Sequence, residues 1–112
     1  MTQMDGTKNL LPIRPGCFPM TVHAFCRLRE RWPETVLVPA DLDNFVVPLN
    51  SPLIGYDQRT SARFLEVPGT PMIALVVQGI VRTFLSRESA RYKLYLRGWW
   101  FGDGDFLGPA AA

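Results

Sequence analysis

Histidine is nearly missing from this chain of 112 residues: His23 stands alone, and cysteine occurs only as Cys17 and Cys26. A zinc or non-haem iron centre needs several such ligands at set spacings, and Cys17, His23 and Cys26 match no zinc pattern. No metal and no cofactor is therefore expected. No nucleophile has a base in a recognisable pattern, and neither a phosphate loop nor a dinucleotide fingerprint occurs, so no catalytic residue is assigned and no enzyme is expected. Asp103 and Asp105 pair two acids in a glycine-rich corner. A calcium ion asks for about six oxygens, so the pair reads as turn chemistry. No apolar run approaches the roughly eighteen residues of a bilayer span, which argues against a membrane.

Charge of one sign is also scarce. Twelve basic residues against ten acidic ones leave a net charge of +2, too little to demand nucleic acid. One helix without a neighbouring partner makes no helix-turn-helix, so direct DNA binding is not expected. Asp5, Lys8 and Arg14 break up the start of the chain, which has no apolar core of signal-peptide length. The expected location is cytoplasmic, where Cys17 and Cys26 stay reduced; a disulfide between them in an exported protein is the alternative.

Proline and glycine are abundant where the chain begins. Gly6, Pro12, Pro15, Gly16 and Pro19 interrupt any helix or strand, and residues 1–20 read as a flexible N-terminal arm. Residues 21–112 read as a single β-rich domain opening with a helix over 21–32. Thr21 supplies its N-cap, Val22, Phe25, Cys26 and Arg29 follow helical spacing, and Pro33 ends it. Arg27 and Arg31, with Arg14 nearby, give that helix a basic side.

Thr35 to Val38 is a strand candidate, Pro39 to Asp43 a single helical turn, and Phe45 to Val47 the start of a sheet region. Leu53-Ile54 and Arg63 to Val67 follow as short strands, separated by turn signals about every ten residues, the spacing of an all-β sandwich or barrel. The clearest pattern lies near the C-terminus. Met72 to Val77 is an apolar strand stopped by Gln78-Gly79, and Ile80 to Leu85 is a second. Arg91 to Arg97 alternates Tyr92, Leu94 and Leu96 with Arg91, Lys93 and Arg97, and reads as a third strand of an antiparallel sheet with one wet face.

Gly79, Val81 and Arg82, with Gly104, Asp105, Phe106 and Gly108, resemble the β-roll of the cyclic-nucleotide-binding sensor domains of cAMP receptor protein/FNR-type regulators. There a strand ends in glycine, the next opens with valine-arginine, and a later one runs into Gly-Asp-Phe-x-Gly. The segment Arg97 to Pro109 resembles a cupin hairpin equally, and Gly55-Tyr56 with Glu66 to Gly69 has loose parallels in AraC-type effector domains. The resemblance implies a mainly β fold: a small antiparallel β-roll or barrel of the cupin-like double-stranded β-helix kind, preceded by one short α-helix. The departures bear on function. Pro109 stands where the family has its ribose-binding glutamate, and the sequence given ends before the position of the phosphate-binding arginine-serine cassette. Classical cAMP binding is therefore not expected, and neither a DNA-reading module nor cupin metal chemistry.

The functional expectation is a non-enzymatic β-roll domain resembling the sensor half of a bacterial transcription regulator, which binds a small-molecule effector or a protein partner. Arg82, Trp99, Trp100 and Gly108 are its expected binding residues. An extended Trp99-Trp100-Phe101 aims aromatics at both faces, so at least one should be partly exposed, and with Tyr95, Arg82, Arg91 and Lys93 it would form a base-stacking surface; the alternative is that Trp99 or Trp100 closes the barrel end as core. The alternative is a stand-alone interaction or inhibitor protein, of mobile-element or phage type, that docks on a host protein through its arm and basic helix. An uncovered sheet edge would also invite a homodimer.

Overall fold

Thr21 starts the first helix as its side chain predicts. Its Oγ1 accepts a hydrogen bond from the Ala24 N–H at 2.9 Å, capping helix α1 over Val22–Arg31. Trp32 and Pro33 then leave helical geometry, so the helix stops where the proline requires. This computed structural model describes residues 9–95 and 98–101.

Five strands follow: β1 Leu53–Asp57, β2 Ala62–Glu66, β3 Met72–Val77, β4 Ile80–Ser86 and β5 Gly98–Trp100. They form one antiparallel sheet in the order β4-β3-β2-β1-β5. The first four make consecutive hairpins. The tightest joins β3 to β4 through Gln78 at φ 54° and Gly79 at φ 76°, two successive left-handed residues, the condition for a two-residue turn that matches strand twist. Helix α2, Arg87–Tyr95, then carries the chain from the β4 edge across to β5, which pairs with β1.

The antiparallel, mainly β class with a short helix ahead of the sheet is as expected. The segment after β4 is not. Arg91 to Tyr95, expected as a strand, belongs to α2, because Ala90 and Leu94, four apart, are the residues it buries. Leu96 and Arg97 lie outside the described residues. Thr35 to Val38 is likewise no strand but an exposed connection between Pro33 and Pro39, followed by a 3-10 turn over Leu42–Asn44.

Nor does the sheet turn one whole face to water, because a helix packs on each side. On one face α1 and the segments before the sheet bury Leu28, Met20, Val47, Leu65, Met72, Ala74, Val76, Val81 and Phe84. Phe45 stands edge-on between Trp32 and Phe84 there, at 6.5 and 5.6 Å between ring centroids. On the other face α2 sets Ala90 and Leu94 against Ile54, Ala62, Phe64, Ile73 and Trp100. Strand β3, the middle of the hairpin series, therefore alternates between two cores and is apolar throughout. A bulge in β4 keeps its pattern in step: Val81 faces Val76 and Thr83 faces Leu75, leaving Arg82 as the extra residue, so Val81 and Phe84 share a face although three apart.

The arm expected over residues 1–20 is docked where it is described. The Leu11 N–H donates to Met20 O at 2.9 Å, the Phe18 N–H to Val47 O at 2.9 Å, and the Val81 N–H to Pro19 O at 2.8 Å. Met20 itself enters the core, since an apolar side chain beside β4 gains more by burial than by exposure. Residues 1–8 lie outside the described set. This docking, with the Arg31 guanidinium donating to Phe84 O at 2.9 Å, covers part of the outer edge of β4, the longer edge strand. Strand β5, at the other edge, is three residues long.

Candidate functional site

Hairpin β1–β2 and strand β5 set the geometry at the β5 edge of the sheet. Asp57 ends β1 buried, and its Oδ1 accepts from the Arg59 N–H at 2.9 Å, which fixes the turn into β2. Gly55 and Gly98 face the α2 side and seat Leu94: a methyl group on either would run into that side chain. Because side chains alternate along a strand, their neighbours point the other way. Tyr56 pairs with Arg63 on β2 and with Trp99 on β5. Arg63, Tyr56 and Trp99 thus form one row across three adjacent strands, on the face that carries α1.

Helix α1 does not reach that row; it packs on β4 at the far side of the sheet. Arg63 is exposed, and Tyr56 and Trp99 are half-buried. The Trp99 indole N–H donates to Gln58 Oε1 at 3.4 Å, which ties the ring to the β1–β2 turn. Among the described residues of β1, β2 and β5 the two acids are Asp57 and Glu66, and both belong to the opposite face. Asp57 lies opposite Gly98, while Glu66 lies opposite the buried Ile73 and binds Arg87 at 2.7 Å. The row is aromatic and cationic.

The expected site residues do not converge. Trp99 is in the row. Trp100, its neighbour, points the other way and is fully buried, so it is core and not binding surface, as strand alternation forces when α2 covers that face. The Arg87 guanidinium lies 5.6 Å from the centre of the Trp100 ring. Arg82 sits in the β4 bulge at the opposite edge of the sheet, beside Thr21, Val22 and His23, with β3, β2 and β1 between it and Trp99. Gly108 lies outside the described residues, as do Asp103, Asp105 and the Gly-Asp corner. Tyr95, Arg91 and Lys93 occupy the exposed side of α2, with Tyr92 at 72% exposure, across the sheet from Trp99.

The basic side of α1 is largely engaged within the chain. Arg27 pairs with Glu30, Arg29 pairs with Asp43 at 2.9 Å, and Arg31 caps Phe84 O and Thr83. Arg14 donates to the Asn44 side chain at 3.2 Å. Of these, Arg31 ties the helix to β4, Arg29 ties it to the 3-10 turn, and Arg14 ties the segment before the helix to that same turn. Cys17 and Cys26 are free thiols. Among the described residues no cluster of three histidine, cysteine or acidic side chains could hold a metal, and no helix is long and apolar enough to cross a membrane.

Tyr56 and Arg63 are not among the binding residues expected from the sequence, because their meeting with Trp99 depends on strand register. The alternation in Gly55-Tyr56-Asp57 was the available signal. No protein-family model matches the chain, and no curated protein or solved structure matches it.

Proposed function

We propose that this protein is a non-catalytic binding domain that engages a small effector or a macromolecular partner through the face bearing Trp99, Tyr56 and Arg63. One observation carries the reading: two aromatic residues and an arginine occupy one row across three adjacent strands, partly open to solvent, on a part of the sheet that α1 does not cover. Flat rings with few rotatable bonds make good anchors because little conformational entropy is lost when they are covered. In its narrower form the domain is the sensor part of a bacterial regulator. The β3–β4 hairpin supports this, since Gly79 makes its turn and Val81-Arg82 follow in the order the resemblance calls for.

A thermal-shift panel of nucleotides, flat aromatic effectors and peptides tests the proposal. A ligand at a hundred times its Kd stabilises by about 2.7 kcal/mol, which for a domain of this size raises Tm by roughly 10 °C. The shift should occur in the native protein and vanish in Trp99→Ala. Equal stabilisation of both proteins would place the ligand elsewhere and refute the assignment.

A second reading, a stand-alone interaction protein docking on a host protein, has a different observation behind it. Leu37 is 91% exposed between Val36 and Val38, themselves exposed. Its surface is this loop, since Arg27, Arg29 and Arg31 of α1 are engaged within the chain. Under that reading Leu37→Asp abolishes capture of the partner and Trp99→Ala does not.

A further inference from the structure

We infer that the Trp99–Tyr56–Arg63 row takes single-stranded nucleic acid, its bases stacking on the rings and its phosphates meeting Arg63 and Arg59. The inference rests on the binding-domain reading above and names the partner's chemistry. Neighbouring strands lie about 4.8 Å apart, so three side chains in one row span roughly 10 Å, enough for two or three unstacked bases. Sheets that bind single strands use this device: aromatic rings on adjacent strands, each accepting one base, in a setting that favours phosphate.

The charge beside the row is of the right sign. Arg63 lies in the row itself, and Arg59 lies exposed in the turn that closes the same hairpin. Neither is joined to a carboxylate in the salt bridges among the described residues. Arg27 and Arg29, by contrast, are neutralised by Glu30 and Asp43. The expectation against DNA binding came from the lack of a helix-turn-helix, a device that reads the major groove of a duplex. It does not bear on a stacking platform, which a base pair cannot approach because its bases are already stacked on each other. Gln58, which accepts from the Trp99 indole N–H, sets an amide beside the ring.

The test is fluorescence anisotropy with labelled oligouridylate and oligothymidylate. Binding of either supports the inference, and their ratio tells RNA from DNA. Two phosphate contacts predict a slope of about −1.4 in log K against log salt for a single strand, so affinity falls roughly sevenfold between 50 and 200 mM salt. Arg63→Gln should halve that slope, and Trp99→Ala should weaken binding by about fivefold or more at any salt. Tyr92→Ser, on the outer side of α2, should bind as the native protein does. If Trp99→Ala proves poorly folded by circular dichroism, Arg63→Gln carries the test, because its exposed side chain supports no core. Equal competition by duplex DNA or heparin, equal loss in Tyr92→Ser, or an unchanged slope in Arg63→Gln would overturn the inference. No oligonucleotide binding, with another probe still stabilising through Trp99, would overturn it and leave the binding-domain reading standing. No binding by any probe would remove both.

Discussion

Gly55 and Gly98 make opposite predictions about rescue, although both seat Leu94. A Cβ on Gly55 overlaps the Leu94 Cδ1 methyl and comes within 3.0 Å of Trp99 O. The main obstacle is the tip of a flexible side chain. A Cβ on Gly98 overlaps Cδ2 of the same leucine but also lies 2.6 Å from Tyr56 O, a carbonyl fixed in the β1–β5 ladder. Overpacking of this kind costs about 1–3 kcal/mol, more when backbone must move. We expect about 1–2 kcal/mol for Gly55→Ala and about 3 kcal/mol or more for Gly98→Ala. Leu94→Ala alone removes a fully buried side chain and should cost about 2–5 kcal/mol. Combined with Gly55→Ala, the new methyl enters the space the leucine vacates, so the double variant should be more stable than the sum by about 1–2 kcal/mol. Combined with Gly98→Ala, the clash with Tyr56 O remains and rescue should be much smaller. Urea unfolding at constant m-value measures all five variants as shifts in midpoint. Strict additivity at Gly55, or equal rescue at both glycines, would refute the account of how α2 holds β5 beside β1, and with it the geometry of the Trp99 row.

Three further outcomes separate anchoring residues from surface ones. Trp100→Ala should cost about 3–5 kcal/mol, whereas Trp99→Ala should leave the melting temperature within a few degrees; equal losses would contradict their placement on opposite faces. Thr21→Ala should lose about 1 kcal/mol by removing the acceptor for the Ala24 N–H, and Thr21→Ser should restore most of it; a silent Thr21→Ala in chemical denaturation would mean the cap is not stabilising. Gly79→Val, which puts a β-branched residue at φ 76°, should destabilise by about 1–3 kcal/mol, while Gln78→Asn should be neutral or slightly stabilising, both read from Tm.

Hairpin β3–β4 and helix α1 were legible in the sequence because their signals are local: an apolar run stopped by Gln78-Gly79, and a threonine cap closed by Pro33. Helix α2 was not. Tyr92, Leu94 and Leu96 fit a period of two, but Ala90 and Leu94 fit a helical period equally well, and a short segment does not decide between them. Ser86, whose Oγ accepts from the Ser89 N–H at 3.1 Å, was the missed helix-start signal. Thr35 to Val38 failed for a different reason. β-branched residues favour a pleated, half-buried surface, and between two prolines this stretch had no strand to pair with. Of the candidate site, alternation puts Trp99 and Trp100 on opposite faces, but the partners of Trp99 required the register of β1 against both β2 and β5, which depends on contacts distant in sequence. Arg82 was separated from Trp99 by the same fact: the two lie on opposite edges of a sheet whose order only folding reveals.

A single titration addresses the central claim, that the Trp99–Tyr56–Arg63 row is the functional face. Two-dimensional amide correlation NMR resolves the indole N–H groups of Trp32, Trp99 and Trp100 as separate reporters, and oligouridylate is added stepwise. The account predicts that the Trp99 indole moves together with amides of Gly55 to Arg63 and Gly98 to Phe101, while Trp32 and the exposed loop at Leu37 stay still. Shifts confined to α1, to Val36 to Val38 or to the outer side of α2 would contradict it.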